Sequence, residues 1–327
     1  MNVLVLGGTG FIGYYAVLEL IRRGHQVTIL ALPPLPAEGL FPTGVRIQLA
    51  DLNALPDTDV LDLLSGQEAV VFAAGSDDRA TPKAPARDFF YRHNVTACVR
   101  FFTLCRQAGV RRGVLLSSYF AHFARVWSKF ELAKHHPYIY SRLEQEEQCL
   151  RACGDELALS ILELPYIFGA MPGRIPLWKP LIDYLVSPMP LFYTRGGTNA
   201  VSVNCVAQAI AGAVEHRQAG ACYLVGDENL SWTEMLSRLG KAAGKPKRVI
   251  LLPNSVVRLG LTAVKLLHRL QKREGGLDPV RLVEIQTRNT FFDPQPARNA
   301  LGFLGGDLDE AFQATIRACG KTGISID

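Results

Sequence analysis

A tyrosine and an arginine four residues apart, Tyr138 and Arg142, are the first pair in the sequence that could do chemistry. On a helix, this spacing places both side chains on one face. A permanent positive charge favours a phenolate, so such a pair could exchange a proton with a bound substrate. An amphipathic surface helix shows the same spacing by chance. The pair alone leaves both interpretations open.

A glycine-rich turn near the N-terminus is the second candidate site. GGTGFIG follows the apolar run NVLVL and places Gly7, Gly10 and Gly13 at GxxGxxG spacing before a helical stretch. Gly7 permits a tight turn, Gly10 admits a pyrophosphate close to the backbone, and Gly13 allows close packing of helix on sheet. The free N–H groups and positive dipole end of the helix favour phosphate. The turn therefore predicts dinucleotide binding.

The elements that must position these residues alternate along the first half of the chain. Apolar runs without polar alternation are separated by helical stretches, which predicts parallel strands covered on both faces. We expect an α/β fold, a doubly wound parallel (Rossmann) sheet with a smaller C-terminal α/β cap. The predicted strands are NVLVLG, HQVTIL, VRIQLAD, AVVFAAG, GVLLSS and ALSILEL.

The composition of the chain changes after Pro165, where proline and aromatic residues become frequent. We therefore predict a dinucleotide-binding domain over residues 1–165 and a mainly substrate-binding cap over 166–327. NAVSVNCVAQAIAGAVEH and ACYLVG predict that a segment near 200–226 returns to the main sheet as a helix and a strand.

Bulk composition excludes several classes of protein. The 327 residues are 48% hydrophobic and 20% charged, with a formal net charge of +5 and no dense block of Lys or Arg, so no nucleic-acid partner is expected. No signal peptide and no membrane span is expected. The seven scattered cysteines contain no CxxC pair, so we expect no metal site and reduced, mostly buried thiols in a cytoplasmic protein.

The segment 255–273, SVVRLGLTAVKLLHRLQKR, has the pattern of an amphipathic helix. Its basic residues recur opposite Val257, Leu261, Val264 and Leu267. We expect the helix to pack on the cap with its basic side in solvent and no membrane contact; the alternative is a helix lying at a membrane surface.

Several motifs together resemble the extended short-chain dehydrogenase/reductases of the NAD-dependent epimerase/dehydratase group, over nearly the whole chain. They are the GGTGFIG turn, LADLN, VFAAG, NVTACVRFFTLCRQAGVRRGVLLSS, LELPYIFG and FFDPQPARNALGF. The tail is similar to that of sterol dehydrogenases and dihydroflavonol reductases. The resemblance implies an NAD or NADP site built from Gly7, Gly10, Phe11, Ile12, Gly13, Asp51, Leu52, Ala73, Ala74, Gly75, Asn94, Tyr138, Arg142 and Pro165.

The resemblance also implies a Tyr-x-x-x-Lys pair with a Ser or Thr, and here the sequence departs from it. Arg142 stands at the lysine position, and its larger planar fork does not replace a compact ammonium without repositioning. Tyr119 stands where the Ser or Thr is expected, with Ser118 one residue upstream. The catalytic candidates are therefore Tyr138, Arg142, Ser118 and Tyr119.

These features predict an NAD(P)-dependent oxidoreductase or epimerase for a small carbonyl or carbinol substrate, with a nucleotide-sugar as one option. The alternative is a dinucleotide-binding sensor or scaffold without turnover. The second predicted strand is followed by Ala31 and Leu32, with neither the acidic residue nor the arginine that would choose between NAD and NADP. A homodimer is left open. The predicted substrate residues are Tyr166, Phe168, Arg174 and Trp178.

Overall fold

The fold was analysed in a computed structural model, which describes residues 1–216 and 220–320. The strands are β1 (Asn2–Leu6), β2 (Gln26–Ala31), β3 (Arg46–Leu49), β4 (Ala69–Phe72), β5 (Arg112–Ser118), β6 (Ala158–Leu164), β7 (Tyr166–Phe168), β8 (Leu191–Tyr193), β9 (Gly197–Ser202), β10 (Ala221–Leu224), β11 (Glu228–Ser231), β12 (Val249–Leu251) and β13 (Asn289–Thr290).

The helices alternate with these strands in the first half of the chain and dominate the second half. They are α1 (Phe11–Arg22), α2 (Asp57–Leu64), α3 (Ala86–Phe90), α4 (Ala97–Gln107), α5 (Tyr119–Val126), α6 (Leu132–His135), α7 (Pro137–Cys153), α8 (Lys179–Val186), α9 (Val203–Glu215), α10 (Trp232–Ala242), α11 (Asn254–Leu270), α12 (Pro279–Gln286), α13 (Gln295–Leu301) and α14 (Leu308–Gly320). A π-helical turn, Tyr91–Thr96, joins α3 to α4.

The main sheet confirms the predicted doubly wound architecture. Its seven strands are all parallel, in the order β10-β6-β5-β4-β1-β2-β3. One face packs α1 and α9 into a core of Val, Ile, Leu and Ala side chains, and the other packs α2, α4 and α7 around Phe72 and Phe101. The carboxyl ends of β1, β4 and β5 meet at one edge, where ligands bind in such folds.

The segment near residues 200–226 runs back to the main sheet. Helix α9 packs against α1, and β10 pairs with β6 from Ala221 to Leu224. Strand β9 instead joins β7, β11 and β13 in a second, smaller sheet. The division of the chain into two domains at residue 165 stays a prediction. The last residues of the predicted cap, 321–327, lie outside the part of the chain that the structure describes.

Helix α11 corrects part of the expectation for the segment 255–273. Val257 and Leu261 are half-buried, but Val264 and Leu267 are exposed, and no residue of the helix is buried. The reason is that the helix is apolar on two sides, and only one of them meets the protein. Among the described residues, no helix is long and apolar enough to cross a membrane.

The cysteines are free thiols, as expected from their scattered positions. Six of the seven are buried, and only Cys222 is exposed. Cys98 and Cys149 lie in the core between α4 and α7, where the contact with Cys98 and then burial raise the pKa of the Cys149 thiol. Buried thiols of raised pKa are inert.

Candidate functional site

The glycine turn between β1 and α1 has the geometry that a dinucleotide phosphate requires. Gly7 has φ +81°, and a Cβ there would lie 2.6 Å from the carbonyl oxygen of Ala73. A Cβ on Gly13 would lie 2.2 Å from the Gly7 carbonyl oxygen, whereas one on Gly10 would meet only that oxygen, at 3.2 Å. No side chain caps α1 and no acidic residue lies in its first turn. The helix N-terminus is therefore open to a pyrophosphate.

A cavity of about 460 Å³ runs from this turn to the predicted catalytic helix α7. Aromatic and aliphatic side chains form much of its wall, and few charged groups reach it. Of the predicted site residues, it is lined by Gly10, Phe11, Ile12, Ala73, Ala74, Gly75, Ser118, Tyr119, Tyr138, Arg142, Pro165, Tyr166 and Trp178. The cofactor turn and the catalytic candidates thus share one cavity.

Tyr138 and Arg142 lie in the first half of α7, on one face and facing this cavity. Both are buried, and the Arg142 guanidinium carbon lies 5.0 Å from the centroid of the Tyr138 ring. Arg142 donates to Gln145 Oε1 at 2.7 Å and to the carbonyl of Leu116 at 3.4 Å. Its Nε has no hydrogen-bond partner within the described chain. A bound ligand could satisfy this donor.

The electrostatic setting of Tyr138 combines burial with a nearby cation. Burial raises the pKa of the phenol above its ordinary value of 10. The positive charge of Arg142 is the main opposing influence, and Ser118 and Arg142 also lower the pKa by hydrogen bonding. Asp78, at the cavity wall, adds a smaller upward shift to the pKa of Tyr138. The phenol is protonated at neutral pH and depends on Arg142 to ionise.

Ser118 and Tyr119, the two candidates for the Ser/Thr position, have different environments. Ser118 is the last residue of β5 and accepts a hydrogen bond from the N–H of Phe120, which caps α5. The hydroxyl of Tyr119 lies 3.0 Å from Thr198 Oγ1 and accepts from Thr290 Oγ1 at 3.4 Å. Burial raises the pKa of Tyr119 to about 12. The protein therefore engages the Tyr119 hydroxyl, but both Ser118 and Tyr119 line the cavity, so the choice between them stays a prediction.

Asn94 is held by protein partners and does not line the cavity, so its contact with the cofactor stays a prediction. Its Oδ1 accepts from the N–H of Ser76 at 2.7 Å, and its Nδ2 donates to the carbonyl of Ser76 and to Ser141 Oγ. The Ser141 hydroxyl in turn donates to the Tyr138 carbonyl at 2.7 Å. Asn94 is fully buried on the π-helical turn, away from the cavity wall. It joins the loop after β4 to the predicted catalytic helix α7.

The remaining cofactor candidates, Asp51 and Leu52, lie beyond β3 and do not line the cavity. Asp51 is exposed, and its Oδ1 accepts from the backbone and side-chain nitrogens of Asn53. The Leu52 side chain is buried in the core, and its carbonyl accepts from Arg100 at 2.7 Å. Any contact of Leu52 with an adenine would therefore be through its backbone.

Two of the four predicted substrate residues face the cavity and two do not. Tyr166 and Trp178 line it, with their rings edge to face at 5.3 Å. Phe168 is fully buried and stacks on the far side of Trp178, with ring centroids 4.3 Å apart. Arg174 is exposed and donates to the carbonyl of Thr9 at 3.2 Å, beside the glycine turn. Phe168 thus supports the ring of Trp178 from behind, and Arg174 lies beside the glycine turn where the cofactor phosphates are expected.

Sequence patterns missed Asp78, which lines the cavity three residues after Gly75. Burial raises the pKa of this half-buried carboxyl. Its position in the loop that follows β4 could have indicated it, since side chains at that edge of the sheet converge.

A second missed group is a buried acidic cluster behind the site, made of Ser117, Arg125, Glu146 and Glu163. The Ser117 hydroxyl donates to Glu146, and Arg125 pairs with both carboxylates, with Glu146 at 2.6 Å. Burial raises the pKa of Glu163 to about 8 and also raises that of Glu146. A single arginine facing two buried carboxyl groups leaves a negative charge that protonation can remove.

Comparison with known proteins places this geometry in a family. The model of the NAD dependent epimerase/dehydratase family matches residues 3–177. Mouse sterol-4-alpha-carboxylate 3-dehydrogenase, decarboxylating, is 26% identical over 72% of the chain and 67% of that protein, while the match to the human enzyme, at 30%, spans 35% of the chain and 28% of that protein. The putative dihydroflavonol 4-reductase of Synechocystis sp. is 23% identical over 94% of the chain and 91% of its own length.

Solved structures agree on the fold. UDP-glucose 4-epimerase from Bifidobacterium longum, in complex with NAD+ and UDP, has a TM-score of 0.72 at 16% identity and covers 98% of this chain and 99% of its own. The turn and cavity described above fit an NAD or NADP cofactor. The chain belongs to the NAD dependent epimerase/dehydratase family and is an enzyme of the extended short-chain dehydrogenase/reductase type.

Proposed function

We propose that the protein transfers a hydride between the nicotinamide of NAD or NADP and a secondary carbinol or ketone carbon, with Tyr138 as the acid/base. The observation that supports this most is the shared cavity, which joins Gly10 of the phosphate turn to Tyr138 and Arg142. The cofactor, when bound, supplies the hydride acceptor or donor. The chain's own residues hold the substrate oxygen and move its proton.

In the oxidation direction, the Tyr138 phenolate takes the proton from the substrate hydroxyl as the carbon loses its hydride. Arg142 favours that phenolate because its charge lies beside the ring and opposes the effect of burial. The Ser118 hydroxyl orients the substrate oxygen. In the reduction direction, the neutral phenol returns the proton, so the same three groups serve both directions.

The arginine replaces the family's lysine without removing the charge. The Gln145 amide oxygen accepts a hydrogen bond from it, which holds the guanidinium beside the tyrosine, and its unpartnered Nε remains free for the nicotinamide ribose. This support for the phenolate is why we favour turnover over a sensor or scaffold that binds cofactor without chemistry.

For the substrate, we propose a carbinol or ketone carried on a largely apolar body. Tyr166, Trp178 and Tyr193 offer aromatic walls. The cations near the mouth are paired with carboxylates of their own, Arg79 with Asp77 and Lys179 with Asp183. Asp78 disfavours an anionic group deeper in the cavity. A nucleotide-sugar, with two phosphate charges, is the second candidate because UDP-glucose 4-epimerases are among the relatives.

The matched variants Tyr138→Phe and Tyr119→Phe test the assignment of roles. Each removes one buried hydroxyl from the same cavity wall. With a panel of apolar secondary alcohols and UDP-sugars, and nicotinamide absorbance as the readout, Tyr138→Phe should lower kcat by roughly 10² to 10⁴ and leave NAD affinity unchanged. Tyr119→Phe should keep kcat within about threefold. The opposite ranking would refute the role given to Tyr138.

A further inference from the structure

Helix α11 presents an apolar stripe to the outside of the molecule. Val256, Leu259, Ala263, Leu266, Leu267 and Leu270 fall within an arc of about 100° at 100° per residue. Leu259 is 73% exposed and Leu270 75%. The opposite side of the helix, which includes the half-buried Val257 and Leu261, packs against the rest of the protein. Contiguous exposed apolar surface of this kind marks an interaction site.

The charged side chains of α11 itself are all basic. The helix contains no Asp or Glu, and Arg258 and Arg269 lie on the same flank of the stripe, about three turns apart along the helix, both exposed. Within the described residues, neither guanidinium has an ion-pair partner, whereas Lys265, on the inner side, pairs with Asp278. An apolar face with a free basic flank is complementary to an anionic lipid surface.

The apolar surface continues beyond the N-terminal end of the helix. Ile250 and Leu251, in the strand β12 that leads into α11, are each 43% exposed, and Phe192 of the neighbouring β8 is 42% exposed. The residue after Phe192 is Tyr193, which lines the catalytic cavity. The exposed apolar surface therefore extends toward the cavity wall.

The other end of the helix is joined to the catalytic helix and to the loop at the cavity mouth. The carbonyl of Lys272 accepts from the N–H of Ala84, and the carbonyl of Gly276 accepts from the N–H of Tyr138 at 2.9 Å. His136 Nδ1 accepts from the N–H of Asp278, the residue paired with Lys265. A surface that holds α11 would thus hold the cavity mouth close to it.

We propose that α11 and the adjoining residues Phe192, Ile250 and Leu251 dock on an anionic lipid bilayer, with the apolar stripe in the interface and Arg258 and Arg269 at the lipid headgroups. A second copy of the chain or a soluble protein would cover the stripe without needing its basic flank. This docking goes beyond the proposed function and does not depend on it, although it suits a substrate with an apolar body.

Vesicle co-sedimentation of the full chain tests the proposal. The wild type should bind phosphatidylcholine vesicles that contain phosphatidylglycerol and bind much less to phosphatidylcholine alone. Leu259→Glu with Leu266→Glu should abolish binding. The control Leu304→Glu, at a leucine that is 74% exposed elsewhere on the surface, should bind like the wild type. Each of Arg258→Gln and Arg269→Gln should lower the partition coefficient about fivefold at low salt.

Three outcomes would overturn the docking. One is a wild type that stays in the supernatant with anionic vesicles. Another is equal loss of binding in Leu304→Glu and in the double variant. The third is a wild type that sediments as a dimer while the double variant sediments as a monomer, which would assign the stripe to contact with a second copy of the chain. Binding of NAD, measured by calorimetry on each variant, should be unchanged, so failure of the docking and failure of the proposed chemistry are distinguishable.

Discussion

The phosphate turn and the proposed catalytic corner, formed by Ser118, Tyr138 and Arg142, lie at the same edge of one sheet, but one is made of backbone and the other of side chains. The turn consists of backbone, and three glycines decide whether it admits a pyrophosphate. The corner consists of side chains from β5, α7 and the loop after β4, and its chemistry depends on what each one contacts. A backbone site tolerates almost no variation in its key residues, whereas a side-chain site can exchange a lysine for an arginine if neighbours hold the new group.

The largest expected effect is at the turn. Gly10→Val should abolish NAD binding in calorimetry, because a branched side chain fills the space that the pyrophosphate needs. The free energy of unfolding should change by about 1 kcal/mol or less, since the only close neighbour is the Gly7 carbonyl oxygen at 3.2 Å. Gly260→Ala, in an open helical position, is the control and should bind NAD normally. Retained NAD binding by Gly10→Val would remove the basis for the cofactor site.

Substitutions of Arg142 in the proposed catalytic corner should change kcat by graded amounts that depend on the charge retained at position 142. Arg142→Met removes the main influence that lowers the pKa of Tyr138, so this pKa rises further. Because oxidation needs the phenolate, the rising limb of the pH–rate profile should move to higher pH, and kcat at neutral pH should fall by roughly 10² or more. Arg142→Lys should keep the limb in place and preserve or raise kcat. Loss of all activity in Arg142→Lys would give the guanidinium a role of its own.

Behind the corner, the buried acidic cluster should make stability depend on pH. The pKa of Glu163 is about 8 in the folded protein and near 4.3 when unfolded, so the folded state binds the extra proton between these values. Stability should therefore fall as pH rises from about 5 to 8, by an amount on the order of a few kcal/mol. Glu163→Gln should flatten this fall in urea denaturation. An unchanged slope would show that the carboxyl is already ionised when folded.

The contrast between the two regions also explains what the sequence could predict. The GGTGFIG turn could be predicted from its glycine spacing together with the strand before it and the helix after it. Tyr138 and Arg142 could be predicted as a pair from their four-residue spacing on a helix and from the family's Tyr-x-x-x-Lys pattern. The state of Tyr119 could not be predicted, because its partners Thr198 and Thr290 are 79 and 171 residues away. Asp78 and the Glu163 cluster depend on burial among distant elements, which no local pattern encodes.

The smallest expected effect lies in the hydroxyl cluster around Tyr119. Thr198→Val should lower the free energy of unfolding by about 1 kcal/mol, because the Tyr119 hydroxyl loses one buried partner. Combined with Tyr119→Phe in a double-mutant cycle, it should give a coupling energy of at least about 0.5 kcal/mol. NAD affinity should be unaffected in all three variants. Purely additive effects would mean that the two hydroxyls do not interact.

The position of Tyr138 relative to a bound cofactor is the central claim, and a crystal structure of the chain with NAD+ tests it most directly. We expect the Tyr138 hydroxyl within hydrogen-bond reach, about 3 Å, of the nicotinamide ribose or of a substrate oxygen beside C4. The Arg142 guanidinium should contact the same ribose. A nicotinamide bound elsewhere, with Tyr138 covered by protein, would contradict the account and favour a protein that binds the dinucleotide without turnover.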